Sequence, residues 1–105
     1  MKIKTIDITT KEWFDKVNGN SYFSGNIVLN YGMKNQVNIP MLFQYGSGEQ
    51  YIHTANEVLQ NNEYIPNSKS ARGFSTPLWQ YCQENNIVLR TTKYENCLKR
   101  ELQTN

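Results

Sequence analysis

The one histidine of this 105-residue chain, His53, stands four residues before Glu57. On a helix that spacing brings an imidazole and a carboxylate onto one face, where they could share a proton or begin a metal site. No third ligand and no nucleophile lies near them in sequence, so a solvent-facing pair is the expectation. Cys82 and Cys97 are fifteen apart, without C-x-x-C and without a histidine at ligand spacing. Neither a zinc site nor a cysteine nucleophile is expected from them, and two free thiols suit a reducing, cytoplasmic setting. Asp7, Glu12 and Asp15 could converge as a carboxylate site, the least favoured reading, since capping and solvation account for them. Gly46-Ser47-Gly48 lacks the Walker lysine and the full G-x-G-x-x-G, and reads as a Gly turn before a Ser cap rather than a phosphate cradle. No G-x-S-x-G occurs. The expectation is a non-enzymatic chain with no catalytic residues, no metal and no cofactor.

Basic and aromatic groups interleave in Lys69-Ser70-Ala71-Arg72-Gly73-Phe74, with Trp79 and Tyr81 beyond. Together with Arg90 and Lys93 this defines an alternative reading, a single-stranded nucleic-acid binder using Lys69, Arg72, Arg90 and Lys93. The net charge of +2 argues against it, being too small for the strong basic field of a typical nucleic-acid protein. The charge is mildly asymmetric about Pro66, −1 before it and +3 after it, but screening confines such a field to about 8 to 10 Å at physiological salt. Uncharged amides are abundant instead: fourteen Asn and seven Gln. Thirteen aromatic residues supply the burial that a folded chain needs. There is no apolar run long enough to span a membrane, and no apolar stretch of signal-peptide type follows Met1-Lys2-Ile3-Lys4.

The elements that must position these groups can be read from periodicity. Lys2 to Ile8 predicts a short strand covered on both sides, with Ile3 opposed to Ile6 and Ile8. Thr9-Thr10-Lys11-Glu12 has capping-box spacing, so a short helix carrying Trp13, Phe14 and Val17 is expected next, stopped at Asn18-Gly19-Asn20. A hairpin follows from Tyr22 to Tyr45. Phe23, Gly25, Ile27, Leu29 and Tyr31 alternate with Tyr22, Ser24, Asn26, Val28 and Asn30, and Val37, Ile39, Met41, Phe43 and Tyr45 alternate with Asn38, Pro40, Leu42 and Gln44. Pro40, lacking an N–H, suggests an edge strand or a bulge.

Ser47-Gly48-Glu49-Gln50 is a second capping-box pattern before the main helix, whose inner stripe is Tyr51, Ile52, Ala55, Val58 and Leu59. A loop is expected over 64–76, long enough to be functional or mobile. Thr76-Pro77 reopens helix, with Leu78, Tyr81 and Cys82 inward. Ile87 to Tyr94 predicts the last strand, and a C-terminal tail from about residue 95 adds a turn bearing Leu98 and Leu102. The expectation is one globular domain, 1–105, of α+β class: a mainly antiparallel sheet built on a central hairpin, helices packed on one face, in the order β-α-β-β-α-α-β.

If helices cover the face bearing Phe23 and Ile27, the other hairpin face presents uncharged Tyr, Ser, Asn and Gln side chains. Exposed sheets are ordinarily guarded by charge, and this one lacks the guard. Tyr and Asn combine contact area with hydrogen bonding, so the face of Tyr22, Asn26, Asn30, Asn38 and Gln44, or its neighbouring strand edge, is the expected protein-binding surface. The occupant is a protein partner or a second copy of the chain; nucleic acid is less favoured and membrane is not expected.

The run Glu12-Trp13-Phe14-Asp15-Lys16-Val17-Asn18-Gly19-Asn20-Ser21-Tyr22-Phe23, with Asn30-Tyr31-Gly32 and Phe43-Gln44-Tyr45-Gly46, resembles small accessory proteins of tailed bacteriophages. The resemblance covers Lys4 to about Leu59, with an echo in Glu95-Asn96-Cys97-Leu98-Lys99-Arg100. Its matching positions are structural aromatic, Gly and Asn residues, and none is catalytic. It implies a setting, the host cytosol, and an activity by analogy: binding of a phage or host protein, including inhibition of a host anti-phage defence protein.

Overall fold

Residues 2–66 and 77–103 are described by a computed structural model of the chain. Three strands come first, β1 (Thr5–Asp15), β2 (Asn20–Leu29) and β3 (Val37–Tyr45). Two helices follow, α1 (Gln50–Asn61) and α2 (Leu78–Glu84), then β4 (Val88–Tyr94) and a last turn, α3 (Lys99–Gln103). The strands form one sheet in the order β3-β2-β1-β4. Its β1–β2 and β2–β3 pairs are antiparallel, and β4 joins β1 in parallel. This is the α+β class expected, with a different element order.

The difference lies at residues 9–17, where strand as far as Asp15 and then a turn replace the expected helix. Thr9, Thr10, Trp13 and Phe14 are β-branched or aromatic and suit a pleated surface. β1 runs in unbroken register with β2 from Ile6↔Leu29 to Asp15↔Asn20, and from Thr5 to Lys11 it is paired with β4 as well. Two ladders therefore take up the backbone N–H groups that a Thr9/Glu12 capping box would have satisfied. Asn18-Gly19 makes the hairpin turn instead of stopping a helix. Gly19, at φ 70°, donates its N–H to the Asp15 carbonyl at 2.8 Å. The Asp15 carboxylate accepts from the Asn18 side-chain amide at 2.8 Å and from the Val17 N–H at 3.0 Å. Chiefly through the Asn18 amide, its pKa is held below the usual carboxylate value.

The first sheet face carries the core. Ile6, Ile8, Phe23, Ile27, Leu29 and Met41 are buried there against Tyr51, Ala55 and Leu59 of α1 and Leu78 and Cys82 of α2. Tyr51, Ala55 and Leu59 recur every four residues, which puts one stripe of α1 against the sheet. The Ser47 box does not form: α1 starts at Gln50 with Glu49 as N-cap and no side-chain cap, after Gly48 at φ 61°. Pro77 opens α2, and its carbonyl accepts from Gln80 and Tyr81. Thr76 and most of the expected 64–76 loop lie outside the described residues.

Candidate interaction surface

Which side chains reach the second face is decided by one irregularity. Gly25 pairs with Met41 but Phe23 pairs with Gln44, so β3 spends three residues where β2 spends two. A bulge of this kind reverses the alternation beyond it. Phe43 and Tyr45, expected beside Phe23, stand on the Tyr22 side: Tyr22 stacks on Phe43 at 5.2 Å and meets the edge of Tyr45 at 5.8 Å. Gln44, expected on the binding face, turns to the helix side, where its Oε1 accepts from the Thr54 hydroxyl of α1 at 3.1 Å. Beside the bulge, Gly25 is required by close approach, because a Cβ there would run into the Thr9 carbonyl oxygen of β1.

The second face is roofed at one end by the chain's own C-terminus. After β4 the backbone turns at Asn96, φ 59°, and the Cys97 N–H donates to the Glu12 carbonyl at 3.0 Å. α3 then crosses Trp13 and Ser24. Lys99 Nζ lies 5.4 Å from the Trp13 ring centroid, and Trp13 continues the aromatic row onto Tyr22 at 5.5 Å. Ser24 is fully buried and donates to the Leu102 carbonyl at 2.6 Å, while the Leu102 side chain is itself fully buried. α1 and α2 thus occupy the expected face, and α3 adds a small roof on the opposite one.

The five residues expected to bind a partner are dispersed by this arrangement. Tyr22 belongs to the half-buried aromatic row. Asn26 and Asn38 are exposed on the second face. Gln44 is on the helix side. Asn30 is a correction: it is fully buried at φ 55°, its Oδ1 accepts from the Lys4 N–H at 2.7 Å, and its Nδ2 donates to the Lys2 carbonyl at 3.0 Å. Asn30 locks the N-terminus to the end of β2, a backbone role available to Asn because its short amide tolerates the left-handed region.

Of the basic residues in the nucleic-acid reading, Lys69 and Arg72 lie outside the described residues. Arg90 Nε is 2.6 Å from the Asp7 carboxylate. Lys93 Nζ is 3.7 Å from Glu12 and 3.5 Å from Glu95 and donates to the Gly48 carbonyl. Both cations are spent inside the chain. His53 and Glu57 are exposed on α1, and His53 lines a cleft of about 330 Å³ with Ile52, Pro77 and Trp79. Among the described residues no cluster of three metal-ligating side chains exists, and no helix is long and apolar enough to cross a membrane. Both cysteines are free; burial pushes the Cys82 thiol up to about 11 and raises that of Cys97.

What stays open is the other half of the second face. Asn38 and Pro40 of β3, Asn26 and Val28 of β2, Asp7 and Thr9 of β1 and Arg90 and Thr92 of β4 lie side by side across four strands. Its one charged pair, Asp7–Arg90, is internally compensated. A shallow cleft of about 330 Å³ runs between Thr9, Val28, Tyr31 and Thr92. Thr9 and Thr92 were not among the expected contact residues. Their alternation is readable, but the parallel pairing that brings β4 beside β1 is not a local property of either segment. Comparison with family models, curated proteins and solved structures gives no match.

Proposed function

We propose that this is a small accessory protein of phage type that works by docking the open half of its second sheet face on a protein partner, with a host defence protein as the target class. One observation carries the reading: Thr9, Asn26, Asn38 and Thr92 are exposed side by side over four strands, with no uncompensated charge among them. Hydroxyls and amides on a rigid sheet give directional hydrogen bonds without the desolvation cost of burying ions. The nucleic-acid reading is weaker, because Arg90 and Lys93 already hold carboxylates of the same chain.

The test is a tagged capture from host extract, with and without nuclease, using the wild-type chain and the double variant Asn26→Lys/Asn38→Lys. A specific protein retained after nuclease and lost with the double variant supports the face. Capture that survives both lysines removes the assignment. Capture abolished by nuclease transfers the case to nucleic acid, with an affinity whose log–log salt slope would be about 0.7 per phosphate contact.

A further inference from the structure

The two edges of the sheet are built differently. β3 carries Pro40, which has no N–H to donate, and the bulge near its end. Both are devices that stop strands from adding to an edge. β4 has neither. It is a seven-residue edge strand, Val88-Leu89-Arg90-Thr91-Thr92-Lys93-Tyr94, without proline, glycine or bulge, and Val88, Arg90, Thr91, Thr92 and Tyr94 are exposed.

The Val88 N–H donates to the Lys4 carbonyl, so the even-numbered residues of β4 turn their backbone groups to β1. Leu89, Thr91 and Lys93 turn theirs outward. Among the described residues nothing pairs with this side of β4.

We propose that this edge pairs antiparallel with the same edge of a second copy of the chain, about a two-fold axis at Thr91. In that register Thr91 faces Thr91 of the copy and Leu89 faces Lys93, so all three outward-turned residues meet outward-turned residues and the ladder closes. Val88 faces Tyr94, and Arg90 faces Thr92. These last pairs fall at the closely spaced, non-hydrogen-bonded positions, where side chains touch most. The two exposed apolar residues of the edge, each 54% accessible, therefore cover one another. No like charges stand directly opposed, and each Arg90 keeps its Asp7.

Moving the axis by one residue to Arg90 would set Arg90 against itself and shorten the ladder; moving it to Thr92 would also lose a pair. The sequence of the strand is thus self-complementary in one register. A two-fold axis normal to the sheet joins the open second faces of both copies into one eight-stranded surface.

Light scattering and sedimentation over about 1 to 500 µM should show a reversible monomer–dimer equilibrium, with a dissociation constant of about 10 to 100 µM for so small a contact. Thr91→Pro removes an outward N–H without touching the β1 ladder, and Thr91→Lys opposes two cations on the axis. Each should weaken dimerisation at least about 100-fold, with the far-ultraviolet spectrum and melting midpoint of the dilute protein unchanged. If Thr91→Pro unfolds the chain, Thr91→Lys decides alone. A chain that stays monomeric at about 500 µM, or a dimer indifferent to Thr91→Lys, overturns the proposal. A dimer lost in Asn26→Lys/Asn38→Lys but not in Thr91→Lys places self-association on the face rather than the edge, and also overturns it. Capture of a host protein by the Thr91 variants tests the face separately, so the two readings can fail independently.

Discussion

The second sheet face has two halves that share strands but not fates. In one, Trp13, Tyr22, Ser24 and Phe43 form a row beneath or beside α3, tied down by a buried hydroxyl and a buried leucine. In the other, Thr9, Asn26, Asn38 and Thr92 meet water. The same alternation generates both, so face alone does not tell a contact residue from a structural one. What separates them is where the C-terminal return lands. It reaches the aromatic end, where Leu102 can be buried, and leaves the amide end open.

The largest way to break this contrast is to remove the roof's anchor. Leu102→Ala should cost about 3 kcal/mol by chemical denaturation, the value for a fully buried leucine that leaves a cavity. It should also raise proteolysis after Glu95 and expose Trp13, read as a red shift of its fluorescence. A loss under about 1 kcal/mol would mean that α3 rests on the sheet without holding it.

Next in size is Asn30, which lies four residues from Asn26 on the same strand-and-turn path. Asn30→Ala should cost about 2 kcal/mol, because it leaves the Lys4 N–H and the Lys2 carbonyl unanswered and puts a residue without asparagine's tolerance of the left-handed region at φ 55°. Asn30→Gly, which relieves the backbone but restores neither bond, should recover only part of that loss. Ser24→Ala should cost about 1 kcal/mol, one buried hydroxyl bond to the Leu102 carbonyl. The same substitution at exposed Thr9 should cost less than about 0.5 kcal/mol.

Much of this was legible in the sequence and the rest was not, for identifiable reasons. The β2–β3 hairpin, the α1 stripe at Tyr51, Ala55 and Leu59, the α2 stripe at Leu78 and Cys82, the strand at 88–94 and the edge signal of Pro40 are all local patterns, and the structure holds them. Thr9 to Glu12 misled because a capping box and a β-branched strand start share residue types, and only the pairing of β1 on both sides chooses between them. Phe43, Gln44 and Tyr45 change sides through a bulge that Pro40 signals without fixing its place between Met41 and Gln44, and Gly25 beside it is the other trace it leaves. Asn30 looked like one amide in an alternating row, while its partners Lys2 and Lys4 lie more than twenty residues away in sequence.

The smallest expected effect on stability is also the sharpest test of the open half. Asn26→Lys places an ammonium on an exposed position of β2, between Thr9 and Pro40, where no cation faces it directly. Folding should change by less than about 0.5 kcal/mol, since the side chain keeps its solvent and the backbone ladder is untouched. Partner binding should nevertheless fall steeply, because docking would bury an unpaired charge against a surface complementary to a neutral one. The two measurements pull apart only if Asn26 belongs to a contact surface. At Asn30 stability and binding would fall together, so the ratio of the two losses along one strand marks where the roofed and structural part of the molecule gives way to the part proposed to meet a partner.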